Sequence, residues 1–237
     1  MGATFTTFGP IHFAILSAIP VCGGVLAVVE RRVSTRHSVL RISLAIALLL
    51  DSIVWYLYLA ARGWLIFPDS LPLQLCDVTL YLMILALLTR NPAAFDLAYY
   101  GALAGTSMAL LTPDLDEHSL SLSTIHFFLT HGLVVASALY LVWSKQARPR
   151  PGSVWRAMLA VNVFAAITGA FDFAFHTNYM YLRTKPQNLS LLDVLGPWPW
   201  YIATSELIAL GLFTLLYLPF WQRPSKPEAL TGISSAA

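Results

Sequence analysis

Seven stretches of 18 to 24 residues, each nearly free of charge, follow one another along this 237-residue chain. They run over 10–29, 40–61, 72–89, 94–112, 121–143, 154–177 and 200–221. A bilayer core about 30 Å thick takes about 20 apolar residues of α-helix to cross. Within it the backbone must satisfy its own hydrogen bonds. The pattern therefore predicts an all-α, polytopic bundle of seven transmembrane helices. Charged residues make up 11% of the chain, against about 25% in soluble domains. That shortage excludes a soluble domain, and the 57% of hydrophobic residues excludes a disordered chain. A net charge of +2 with no basic cluster gives no reason to expect nucleic acid. Asn91-Pro92 divides the third run from the fourth, because proline ends a helix before it. Merging those two runs into one shallow hairpin gives six spans, the competing count.

The few cations orient the bundle. Eleven of 14 fall in alternate loops: Arg31, Arg32, Arg36 and Arg41, then Arg90, then Lys145, Arg148, Arg150 and Arg156, then Arg223 and Lys226. The opposite loops hold Arg62, Arg183 and Lys185 together with Asp69, Asp114, Asp116, Glu117 and Asp193. By the positive-inside rule the N-terminus is outside and the C-terminus cytoplasmic. The location expected is a cell membrane, crossed several times. Residues 1–222 read as one transmembrane domain, and 223–237 as a disordered tail rich in Pro, Ser and Ala. Residues 1–9 lack the positive charge that opens a cleavable signal peptide.

Ionisable groups are costly inside a membrane, so each marks a candidate site. Here they gather in the outer half: His12, Asp51, Cys76, Asp77, His126, His131, Asp172, His176 and Glu206. They predict a polar cavity open to the outer face, lined by spans one, two, three, five, six and seven. Asp51, Trp55, Tyr58 and Arg62 share one helical face, as do Thr168, Asp172, His176 and Tyr179. His126 lies about 140° around from His131 at 100° per residue, so the two are not expected to aim equally at one centre. Span four carries Gly101-x-x-x-Gly105, a close-packing pattern, and reads as structural. The loop before span seven holds Asn178, Tyr179, Arg183, Lys185, Trp198 and Trp200. It reads either as an interfacial aromatic anchor or as a rigid lid whose two cations face a lipid phosphate.

A thiol near an imidazole is the minimum kit for covalent acyl transfer. Cys76 and the two span-five histidines lie at compatible depths, and Asp51, nearly level with His131, is a candidate to orient an imidazole. Around them His12, Asp77, Asp172, His176, Asn178, Tyr179, Arg183, Lys185, Trp198, Trp200 and Glu206 are candidate substrate contacts. Metal binding is the weaker alternative, since no His-x-x-x-His spacing puts two ligands on one face. No cofactor is called for. A third reading is a non-enzymatic lipid-binding or transport protein with a structural polar core. Cys22 lies too deep to bridge Cys76 and reads as a packing residue. Membrane lipids are the expected partners.

Five motifs occur in order: Phe8-Gly9-Pro10-Ile11-His12-Phe13, Leu73-Gln74-Leu75-Cys76-Asp77, His126-Phe127-Phe128-Leu129-Thr130-His131-Gly132, Asn178-Tyr179-Met180-Tyr181-Leu182 and Gly196-Pro197-Trp198-Pro199-Trp200-Tyr201. Together they resemble the bacterial YwaF-like family of integral membrane proteins, over residues 8–221. That family looks related to a mammalian transmembrane acyltransferase acting on ether phospholipids. It is more distantly similar to the androgen-induced-gene family of membrane hydrolases of fatty-acid esters. The resemblance implies a Cys/His pair in the acyltransferase and a Thr/His pair in the hydrolases. Cys76 matches the nucleophile position and His131 the histidine, with His126 in reserve.

Overall fold

A computed structural model describes residues 5–32, 39–115, 121–186 and 190–221. Arg36, His37, Asp116, Glu117, His118 and the tail with Arg223 and Lys226 lie outside these. All regular structure among the described residues is helical. The helices are α1 (Pro10–Arg32), α2 (Val39–Ala61), α3 (Leu75–Thr89), α4 (Pro92–Tyr100), α5 (Ser107–Leu111), α6 (Leu122–Trp143), α7 (Ser153–Phe175) and α8 (Trp200–Tyr217). Between α4 and α5 the rod continues as a π-helix, Gly101–Thr106.

Each predicted run is found as helix within a few residues. Five rods are long and apolar enough to cross a membrane: α1, α2, α6, α7 and α8 with its short extension to Phe220. With 15 residues, α3 is about 22 Å long at 1.5 Å per residue. The α3–α4 turn forms where the sequence predicts it. Arg90 closes α3 in the left-handed region at φ 58°. Asn91 Oδ1 then accepts from the amides of Ala93 and Ala94 at 2.8 and 3.0 Å, and Pro92 occupies the first turn of α4. On the far side of the bundle Ser121 caps α6 by accepting from Thr124 N at 3.0 Å.

α6 is the hub. It packs along α1 and against α2, α3 and the π segment, and 56% of its apolar stretch is inside the protein, against 11% for α7 and α8. Leu48, Met83, Leu87, Tyr100, Val134 and Tyr140 form the sealed centre. The outer surface is apolar: Val21, Leu57, Leu159, Ile167, Phe173 and Leu207 stand exposed. An exposed apolar surface that extends over several helices suits acyl chains, not water.

Small residues bring α3 and the π segment together. A Cβ added to Gly101 would lie 2.3 Å from Thr79 Oγ1, so the Gly101 face packs within the chain. Described cations from three of the basic loops meet at one end of the bundle. There Arg31 donates to Trp143 O, Arg41 to Leu87 O, and Tyr140 to Glu30 at 3.0 Å. Buried Asp96 accepts from Arg150 Nε at 2.8 Å and Arg156 Nη2 at 2.9 Å.

Candidate functional site

At the other end of the bundle a cavity of about 50 Å3 lies among α2, α3, α6 and the π segment. Cys76 and Asp77 reach it from the first turn of α3. His126, Thr130 and His131 reach it from α6, Ser52, Trp55 and Tyr56 from α2, and Thr106 from the end of the π segment. Gln74 N donates to Asp77 Oδ2 at 3.1 Å, which fixes the turn that carries Cys76.

The two histidines are held differently. His126 Nδ1 lies 3.1 Å from Asp51 Oδ2 and 3.2 Å from Thr130 Oγ1. Thr130 itself donates to Asp51. The His126 ring stacks on Trp55 at 4.4 Å and 6°. The face predicted on α2 continues outward, Trp55 against Tyr58 at 5.7 Å and Arg62 above Tyr58 at 5.4 Å. His131 Nδ1 is 2.7 Å from Phe127 O, and the ring stacks on Phe127. A carbonyl or carboxylate only accepts, so each Nδ1 carries a proton and each Nε2 is left to face other partners. The His126 and His131 rings thus reach one cavity from its two sides, although their positions on α6 are 140° apart. Asp51 is bonded to His126, not to His131. No hydrogen bond joins Cys76 to either ring. Thr106 Oγ1 is buried beside the Cys76 thiol, within hydrogen-bonding reach of it.

The 177–186 loop is stitched over the first turn of α3. Met180 N donates to Gln74 Oε1 at 2.9 Å, Tyr179 OH donates to Pro68 O at 2.7 Å, and Leu71 N donates to that hydroxyl at 2.9 Å. Met180 and Tyr181 adopt φ 53° and 54°, a left-handed conformation that costs about 1–3 kcal/mol per residue. The surrounding bonds offset that cost. Tyr181 OH donates to Asp114 at 2.8 Å, and its carbonyl accepts from Tyr201 OH at 2.5 Å.

Residues 7–217 match the TMEM164 family. The chain belongs to that family. The matched range takes in every helix from α1 to α8, and hence the whole cavity. Over 226 residues the chain is also 28% identical to an uncharacterized protein of Treponema pallidum (strain Nichols), covering 94% of this chain and 92% of that protein. No solved structure matches.

Against the sequence reading, the lining is narrower in one respect and wider in another. α1, α7 and α8 contribute nothing to the cavity. His12 is fully buried elsewhere: its Nδ1 accepts from Phe8 N at 2.9 Å and its Nε2 donates to Leu110 O at 2.7 Å. Both nitrogens are spent on packing. Asp172 is buried beneath the loop, accepting from Thr177 Oγ1 at 2.6 Å and Tyr179 N at 2.9 Å, while His176 is exposed at the end of α7. Glu206 accepts from Asn162 at 2.7 Å and ties α8 to α7. Asn178, Arg183 and Lys185 organise the loop. Asn178 binds Thr184 and Arg183 N, Arg183 donates to Thr177 O at 3.2 Å, and Lys185 donates to Asp193 O at 3.4 Å. Trp198 donates to Leu182 O at 3.1 Å, and Trp200 is exposed. Span four, read as structural, also reaches the cavity through Thr106 at the end of its π turn. Cys22 and Cys76 are both free thiols. Among the described residues no three His, Cys, Asp or Glu side chains are grouped to hold a metal.

Proposed function

We propose that this TMEM164-family protein is a seven-span enzyme of a bacterial cell membrane, N-terminus outside, that moves or hydrolyses lipid acyl groups through Cys76. The supporting observation is the single cavity shared by the Cys76 thiol and two imidazoles, one of them held at Nδ1 by Asp51. A cavity of about 50 Å3 has room for a small polar group such as an ester carbonyl, since about 10–15 Å3 by this measure holds one water. The acyl chains would lie along the apolar surface between helices.

His126 takes the role of general base in this scheme, in place of His131, because only His126 has its Nδ1–H on a carboxylate. Its Nε2 takes the thiol proton, and sulfur bonds to the ester carbonyl carbon. The carbon–oxygen bond then breaks, and the departing lyso-lipid oxygen takes the proton from Nε2. In the second half Nε2 accepts a proton from an acceptor alcohol or water, whose oxygen attacks the thioester. The carbon–sulfur bond breaks and the proton returns to sulfur. The Thr106 hydroxyl, beside the thiol, is the available donor to the oxyanion. Ground-state separation of thiol and imidazole is common before substrate binds.

The test is lipid acyl exchange and labelling by an acyl-reactive probe in purified wild type, Cys76→Ala, His126→Ala and His131→Ala. Loss of both signals in Cys76→Ala is expected, and a larger loss of exchange in His126→Ala than in His131→Ala. Undiminished exchange in Cys76→Ala overturns the scheme. It would leave the lipid-binding reading, in which the Asp51–His126–Thr130 cluster serves only to join α2 to α6.

A further inference from the structure

A second cavity, larger than the one that holds Cys76, lies elsewhere in the bundle. It measures about 550 Å3 and opens at the cation-rich end of the bundle. Arg90 and Lys145, which follow the ends of α3 and α6, and Arg148, in the loop after α6, stand around it. Phe95, Leu141 and Phe220 form its apolar wall. Along α3 the two linings are five residues apart, Tyr81 on the Cys76 cavity and Ala86 on this one, about 8 Å along the helix axis.

The three cations are uncommitted. Among the described residues none of them is within ion-pair distance of a carboxylate. Two nearby acids are engaged elsewhere. Asp96 is bound to Arg150 and Arg156, and Glu30 accepts from Tyr140. Arg90 also lies close enough to Arg41 to oppose its charge. The negative ends of α3 and α6 attract Arg90 and Lys145, a modest contribution confined to the last turn. That attraction explains two cations at helix ends. It does not explain a third, Arg148, beside them on a large cavity. Arg148 and Phe220 also border a neighbouring cavity of about 310 Å3, against Tyr217 and Trp221. Tyr and Trp favour the depth of lipid headgroups.

Three cations above an apolar wall, at headgroup depth, complement an anionic group joined to an alkyl chain. We infer that this cavity binds an anionic phospholipid, with the headgroup phosphate on Arg90, Lys145 and Arg148 and the glycerol and first methylenes against Phe95, Leu141 and Phe220. The site is independent of the acyl chemistry proposed for Cys76.

The test uses the full chain in detergent, with native mass spectrometry against phosphatidylglycerol, phosphatidylcholine and, in a separate arm, sodium phosphate. Wild type is expected to retain phosphatidylglycerol over phosphatidylcholine. The double variant Lys145→Gln/Arg148→Gln is expected to weaken phosphatidylglycerol about 25-fold, about fivefold per cation at about 1 kcal/mol each, and to leave phosphatidylcholine unchanged. The melting temperature in phosphatidylcholine checks that the variant is folded. If it is not, Arg148→Gln alone is used, with an expected fivefold loss. Equal retention of the two lipids by wild type overturns the inference, as does a folded variant with undiminished preference. Displacement of phosphatidylglycerol by millimolar phosphate overturns the lipid as ligand and makes free phosphate the occupant.

Discussion

Replacing Gly101 with alanine sets two effects against each other. Alanine is about 1 kcal/mol better than glycine inside a helix, so at an open position Gly101→Ala would stabilise. Here the new methyl would stand 2.3 Å from Thr79 Oγ1 and 2.9 Å from Thr79 Cγ2. Thr79 has little freedom to move away. It is buried, its β-branched side chain is stiff, and its hydroxyl donates to Leu75 O at 2.7 Å. Overpacking of this kind costs about 1–3 kcal/mol, and a 2.3 Å approach belongs at the upper end. The net expectation is a loss of about 1–2 kcal/mol, or about 2–8 °C in melting temperature for a chain of this size. The decisive assay is a double-mutant cycle followed by thermal melting in a fixed lipid. Thr79→Ala removes the two closest atoms and leaves only Cβ, at 3.2 Å from the new methyl. In that background Gly101→Ala is expected to be neutral or stabilising. Additive losses would refute the close approach of the π segment to α3. The same contact sets the position of Cys76, so Cys76 is expected to react faster with maleimide in Gly101→Ala than in wild type.

Asp96→Asn removes a carboxylate that is 1% exposed from two arginines that are 41% and 46% exposed. Because both guanidiniums reach water, the loss is expected to fall below the 3–5 kcal/mol of a fully buried pair, at about 1–3 kcal/mol. It should exceed that of Arg150→Gln or Arg156→Gln, each of which leaves one partner, as thermal melts will show. Burial first, and then the Asp114 carboxylate beside it, push the Tyr181 phenol above its ordinary value near 10. A raised pKa means the folded state holds that proton more tightly. Its contribution is therefore complete below pH 10 and declines as pH climbs above 10. Tyr181→Phe is expected to flatten the melting temperature between pH 9 and 11, and an unchanged slope would contradict this.

The helices were legible because a bilayer imposes length and apolarity on each of them. The α3–α4 turn was legible because Asn91-Pro92 is a cap followed by a first-turn proline. The site was harder to read. Spacing on an ideal helix separates His126 from His131, yet long side chains meet across a cavity that three other segments complete. Depth alone paired Asp51 with His131. The structure pairs it with His126, one turn from Thr130, which adds a second bond to the same carboxylate. Thr106 escaped notice because a π turn has no signature in apolar periodicity. Asp172 and Glu206 drew attention as intramembrane acids, but Asp172 Oδ1 binds the loop after α7 and Glu206 binds Asn162 of α7. Such bonds carry no mark in a single sequence.

The π turn has one more consequence. Such a turn is an α-helix that has absorbed about one residue beyond its share, so everything after it is rotated by about 100° from the phase of what comes before. α5 lies after it, and Leu110 O of α5 is the acceptor that His12 of α1 donates to. Deleting one residue from 101–106 would therefore shorten the rod by little but turn Thr106 from Cys76 and Leu110 from His12 together. Chain length at this point is locked to the docking of the first helix as firmly as any side chain is.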